Sequence, residues 1–226
     1  MNKPDISVIT VHKGELSQLV KTVNSLSFID DINFEHIIVA TLENHLLPIA
    51  KETFSRSKLI LNKDKSIYDA MNIGLNNASG KFVIFLNSGD ELINRIGAIL
   101  QDHAPNCIQF RSTLAIDNFD ISAMVLNHQN FITPNSELRF EDNKGIFSDA
   151  LWMEDNIKKF GLQKVNRSLA RFHYGGISTR PNIKMAVKNL KLDYLLKARI
   201  QILIKAIFIS LGAESVNKII LKRKYK

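Results

Sequence analysis

The chain has 226 residues, 45% apolar and 23% charged, which is enough apolar material for one sizeable core and too little length for two full domains. Its one cysteine, Cys107, excludes an internal disulfide framework and a cysteine-based zinc cluster, and suits a reducing compartment. The net charge of +8 is uneven: residues 180–226 hold 12 Lys and Arg against 2 Asp and Glu, the rest is near neutral, and any anionic partner therefore belongs to the tail.

The opening residues MNKPDISVIT lack a signal-peptide run, and no stretch of about 18 uncharged apolar residues follows, so no segment is expected to span a bilayer. Residues 6–11 form a short β-rich run. Residues 15–26 place Leu16, Leu19, Val20, Val23 and Leu26 at helical spacing. Residues 36–40 read as a second buried strand, 44–54 as a helix and 58–61 as a third strand. A helix then opens at Ser66, whose hydroxyl can cap it with Asp69 three residues on, and closes near Gly80. The fourth strand, 82–86, runs straight into Asn87-Ser88-Gly89-Asp90. Alternating strands and helices predict a parallel sheet covered on both faces, with ligands beyond the carboxyl ends of its strands.

After residue 105 the pattern changes. Residues 108–114 and 121–126 read as strands, the stretch around Pro134 as a loop, 147–160 as a helix, and 169–174 as a last strand before Gly175-Gly176. Pro181 marks the expected border between the body, 1–180, and a tail, 181–226; the body divides into halves at 1–104 and 105–180.

Asp90 is a carboxylate on a rigid strand end, open to a cleft, and a hard divalent cation uses one or two such oxygens and takes the rest from phosphates and water. A plain turn is the competing reading, since Asn, Ser, Gly and Asp all form turns. Asp69, Asn72 and Asn76 share one polar helix face, which is either solvated or turned to the same sheet edge. No His/Glu pair has zinc-site spacing.

The run from Ser66 to Gly74 (SIYDAMNIG), followed after six residues by Lys81 to Asp90 (KFVIFLNSGD), resembles the inverting glycosyltransferase family 2, in a branch of bacterial polysaccharide enzymes. Ser7 to Val11, the pair His128-Gln129 before Phe131, and Phe172 to Ser178 are similar to that branch in the same order. The resemblance implies an α/β GT-A fold: a Rossmann-like nucleotide half, an acceptor half and a mixed sheet flanked by helices, here with basic amphipathic helices at the C-terminus. It implies Asp90 as the ligand of Mg²⁺ or Mn²⁺, with Asn87 in place of the usual first acid. Thr10, Val11, Glu43, Asp69, Asn72, Asn87, Ser88 and His128 become donor-contact candidates. The loop Ala40-Thr41-Leu42-Glu43-Asn44 departs from the family's acidic, Gly/Ser-rich pattern, and Glu43 stands in for its acid.

An inverting transfer needs a carboxylate to take the acceptor's proton. Ser148-Asp149-Ala150-Leu151-Trp152-Met153 is similar to the family's base segment and assigns that role to Asp149, with Glu154-Asp155 and Glu141-Asp142 as rivals. His12 and His173 are weaker cleft candidates, Trp152 is core or acceptor platform, and Cys107 is buried filler. The expected reaction moves a sugar from a nucleotide-sugar donor, UDP by family frequency, to a glycan or lipid-linked acceptor in surface polysaccharide synthesis. The alternative is a non-catalytic nucleotide-sugar-binding homologue. In the tail, Lys197, Arg199 and Lys205 interrupt an apolar helix that suits an anionic membrane surface or an oligomer contact. No nucleic-acid module is readable. A cytoplasmic protein, peripheral at the inner face of the plasma membrane, is the expectation.

Overall fold

The computed structural model describes residues 3–62, 66–117, 119–174, 196–210 and 214–224. Four strands, β1 (Ile6–Lys13), β2 (Phe34–Thr41), β3 (Lys58–Leu61) and β4 (Phe82–Phe85), pair in parallel in the order β3-β2-β1-β4. Beyond β4 the sheet turns mixed: β8 (Phe131–Pro134) runs antiparallel to β4, then come β6 (Cys107–Ile116), β9 (Leu162–His173) and β5 (Glu91–Leu92), while β7 (Phe119–Ala123) pairs with β6 off this path.

The helices α1 (Leu16–Ser25), α2 (Leu47–Thr53), α3 (Ile67–Asn77), α4 (Gly97–His103) and α5 (Ser148–Phe160) cover this sheet. Alternate side chains of the central strands go to opposite faces. Ile6, Val8, Phe82 and Ile84 join Leu26, Ile29 and Leu100 on one side. Ile9, Val11, Val83 and Phe85 meet Met71, Leu75, Trp152 and Met153 on the other. Trp152 is core: it stacks on Phe140 at 4.7 Å between ring centroids, and its indole N–H donates to the Leu138 carbonyl at 3.2 Å.

Two local features set the approach of α3 to the sheet. The Ser66 hydroxyl accepts from the Asp69 amide at 3.0 Å and starts the helix. Gly74 lets it lie on β1, since a Cβ there would stand 2.3 Å from Cγ2 of Ile9. The carboxylate of Glu35 ties the end of the α3–β4 connection by accepting from the Ser79 amide at 2.6 Å and the Gly80 amide at 3.0 Å.

Several expected bounds change. The segment 44–54 divides into a 3₁₀ turn, Asn44–Leu46, and α2, because Pro48 sits in the first turn, where a missing N–H costs nothing. The expected loop around Pro134 is strand β8; its proline closes the strand opposite Phe82. Strand β9 begins at Leu162, not 169, because its first half is exposed and polar and shows no apolar alternation. Both β5 and α4 went unpredicted, being only two and seven residues long.

In the tail, α6 (Leu196–Ser210) and α7 (Glu214–Lys224) are helical as expected, whereas Pro181 and Gly175 to Ser178 lie outside the described residues. Helix α7 packs on the body: Leu221 is buried with Leu114, Ile116 and Phe172, and Lys218 reaches Asp117 at 2.6 Å.

Candidate functional site

The carboxyl ends of β1 and β4 lie side by side, because β1 pairs with β4 from Ile6 to Ile9. Chain direction therefore brings the Asn87–Asp90 turn beside the end of β1. The Ser88 amide donates to the Val11 carbonyl at 3.2 Å, and Gly89 supplies the turn's positive φ of 96°. From behind, the Thr22 hydroxyl of α1 donates to the Asp90 carbonyl at 2.8 Å and accepts from the Gly89 amide at 2.9 Å. The turn is thus braced from two elements.

Asp90 is only 8% exposed. Burial pushes its carboxyl up to about 7, against the opposing pull of the Gln129 side-chain amide, which donates to Oδ2 at 3.2 Å. The adjacent His128 bridges two other residues. Its Nε2 lies 2.9 Å from Nδ2 of Asn87, and its Nδ1 lies 3.1 Å from Oδ2 of Asp149. Asp149 opens α5, and its Oδ1 accepts from the Ala150 amide at 2.8 Å. One dipeptide on a 3₁₀ turn, His128-Gln129, therefore joins both ends of the β4 turn to the first turn of α5.

Beside this cluster, His12 is buried and its Nδ1 meets the Ser88 hydroxyl at 2.8 Å. Burial pulls the His12 pKa below its ordinary value, against a smaller opposing effect of the Gly14 backbone. Three buried side-chain atoms of this region, His12 Nε2, Asn87 Oδ1 and Ser148 Oγ, have no partner among the described residues. Such atoms are costly to bury unsatisfied, and they are what a polar ligand would complete. At the ends of β1 and β2 a cavity of about 620 Å³ is lined by Lys13, Gly14, Thr41, Glu43 and His45, with Glu43 and His45 paired at 3.4 Å. Among the described residues, no three His, Cys, Asp or Glu side chains gather to hold a metal ion unaided.

Asn87, Ser88, Asp90, His128 and Asp149 are thus linked by hydrogen bonds or by the turn itself, and Glu43 lines the neighbouring cavity. Three expected donor contacts fall elsewhere. The Thr10 side chain is fully buried and bonds His36 Nε2 at 2.9 Å. Val11 packs into the core, and its carbonyl is taken by Ser88. Both amide atoms of Asn72 are engaged with the Phe140 main chain, each at 2.9 Å, so Asn72 fastens a loop. Asp69 stands in the first turn of α3. Of the rival bases, Glu154 and Asp155 sit on the solvent face and pair with Lys158, and Glu141 pairs with Lys144. His173 joins an exposed group with Glu91 and Lys21. Gln129 was visible only as the neighbour of His128, and nothing in the sequence marked Thr22 as the brace of the turn.

No family model matches the chain, and no curated protein matches it. Solved structures do. The 1–349 fragment of Staphylococcus aureus TarS in complex with UDP-GlcNAc is 17% identical, with a TM-score of 0.63 over 90% of this chain and 71% of that one. A second structure of the same fragment is 16% identical, with a TM-score of 0.61 over 90% of this chain and 70% of that one. The mannosyltransferase PcManGT from Pyrobaculum calidifontis, in complex with GDP-Man and Mn²⁺, is 12% identical, with a TM-score of 0.58 over 96% and 74%. The likeness shows the fold: a mixed α/β sheet of the GT-A type that glycosyltransferases use.

Proposed function

We propose that this chain is an inverting glycosyltransferase that moves a sugar from a nucleoside-diphosphate donor to a hydroxyl of a glycan or lipid-linked acceptor in surface polysaccharide synthesis. One observation carries the reading. On a GT-A sheet, beside a cavity of about 620 Å³, a buried carboxylate at the tip of β4 and a second carboxylate at the start of α5 are held by one dipeptide. In this reading the nucleoside lies in the cavity with Glu43 against it, and the diphosphate meets Asn87 to Asp90. Asp149 takes the proton of the acceptor hydroxyl as that oxygen attacks the anomeric carbon and the diphosphate leaves.

A divalent cation suits this turn. Asp90 offers a buried carboxylate and Asn87 an oxygen without a partner, and a cation of the Mg²⁺ type takes its remaining ligands from phosphates and water. When bound, the cation acts as a Lewis acid on the developing phosphate charge. A panel of UDP-, GDP- and dTDP-sugars with Mg²⁺ or Mn²⁺ tests the reading, comparing wild type with Asp90→Ala and Asp149→Asn. Turnover by wild type and its loss in both folded variants is expected. Donor binding without turnover would favour a non-catalytic homologue.

The tail is proposed to rest on an anionic membrane. Ile200, Ile204 and Ile207 are each more than 40% exposed, at one-turn spacing along α6, within a segment carrying 12 Lys and Arg against 2 Asp and Glu. No described helix is long and apolar enough to cross a membrane. Sedimentation with phosphatidylglycerol vesicles, reversed by high salt, is expected; no sedimentation at low salt ends this part of the proposal.

A further inference from the structure

We infer that His128 is a positioning residue for the base, and that Asn87 fixes the tautomer in which it works; this rests on the reading of Asp149 as that base. A carboxylate only accepts hydrogen bonds, so the 3.1 Å contact with Asp149 Oδ2 requires the proton on His128 Nδ1. A neutral imidazole with its proton there must accept at Nε2, where the Asn87 amide nitrogen stands at 2.9 Å. The chain Asn87 Nδ2–H to His128 Nε2, then His128 Nδ1–H to Asp149 Oδ2, therefore has one direction. It also accounts for Asn87 Oδ1, which is left without a partner because the amide is turned to serve the imidazole.

The consequence is geometric. Asp149 Oδ1 is tied to the Ala150 amide and Oδ2 to His128, so both carboxylate oxygens are held and the side chain keeps one rotamer. An acid at position 87 could not do this, since a carboxylate has no proton to offer Nε2. Asparagine there is a functional part of the base assembly.

Three substitutions separate this role from packing. Asparagine places its amide near the position of Nδ1 and glutamine near that of Nε2. Only His128→Asn can still donate to Asp149. Relative to wild type, His128→Ala is expected to lower kcat by about 10- to 10²-fold, less than the loss of a base altogether. The loss should fall on kcat more than on donor KM. His128→Asn is expected to recover most of the turnover and His128→Gln little of it, at matched melting temperatures. Glutamine rescuing as well as asparagine, or all three variants turning over like wild type, overturns the positioning role while leaving sugar transfer intact. A wild type that transfers no sugar from any donor counts against the base reading itself. The hydrogen-bond chain is then judged by long-range ¹⁵N–¹H correlation of the histidine rings. The Nδ1–H tautomer of His128 is expected in wild type and its mixing with the Nε2–H form in Asn87→Ala; an Nε2–H form in wild type refutes the chain.

Discussion

His36 makes the stability of this protein pH-dependent between about pH 6.5 and about pH 4. It lies in the middle of β2, 4% exposed, with Thr10 Oγ1 at 2.9 Å from Nε2 and Ser57 Oγ at 2.7 Å from Nδ1. Neither partner is charged, so nothing compensates an imidazolium, and burial pulls its pKa from 6.5 to about 4. The unfolded chain takes up this proton as pH falls below about 6.5, while the folded chain refuses it until about 4. Stability is therefore full above the unfolded value and lost as pH falls through the window. The whole loss is about 3 kcal/mol, of which about 2 kcal/mol is gone by pH 5. His12 acts in the same direction and Asp90, with its raised pKa, in the opposite one, so the wild-type profile alone is not diagnostic. The difference from His36→Gln is. Urea unfolding of both proteins at about pH 8 and about pH 5 should show wild type losing about 2 kcal/mol more than the variant over that interval. Parallel losses in the two proteins would refute the reasoning, whatever the variant's stability at pH 8.

Further substitutions test the packing of the fold. Gly74→Ala is expected to cost about 1–3 kcal/mol, because Ile9 is fully buried and has no room to withdraw from the new methyl group; thermal unfolding reads it, and Ile9→Ala in the same chain should recover part of the loss. Glu35→Ala removes one oxygen that serves the Ser7 hydroxyl at 2.6 Å and the amides of Ser79 and Gly80, and about 1–3 kcal/mol is expected in urea unfolding, with Glu35→Gln milder because its carbonyl still accepts. In α7, Leu221→Ala should cost about 2 kcal/mol or more and Lys218→Ala less than about 1 kcal/mol, since the leucine is buried and the lysine pairs with Asp117 at the surface; limited proteolysis of the tail should follow the leucine.

The parallel half was legible because each of its strands is a continuous apolar run and each helix a periodic one. Strand β3 was bounded correctly, and the Ser66 cap and the turn at Asn87 were visible as residue types. The second half hid its strands. Strand β9 spends its first residues exposed and polar, and β8 ends on the proline that made it look like a loop. In the site, the residues tied to a short motif, Asn87, Ser88, Asp90, His128 and Asp149, come together. Thr10 and Val11, from the first-strand segment, and Asn72, from the helix motif, do not join them: Thr10 and Val11 lie in the interior, and the Asn72 amide is already matched to a backbone. Sequence spacing shows which residues share an edge but not which hydrogen bonds their side chains have already made.

Asn87 and the burial of Asp90 belong to one arrangement. Two carboxylates in this turn would repel each other in a site that already holds one carboxyl up to about 7. An amide removes the second charge and frees a donor for His128, at the cost of attraction for a cation. In the proposed reaction the donor diphosphate must then supply most of the negative charge that holds the metal, so metal and nucleotide bind together. Calorimetry of the nucleotide-free protein with Mn²⁺ is expected to show binding weaker than about micromolar, and UDP with Mn²⁺ together to bind more tightly than UDP alone. Tight Mn²⁺ binding without nucleotide would mean that the turn needs no phosphate to complete it, and the assignment of Asp90 as the single protein carboxylate on the cation would fail.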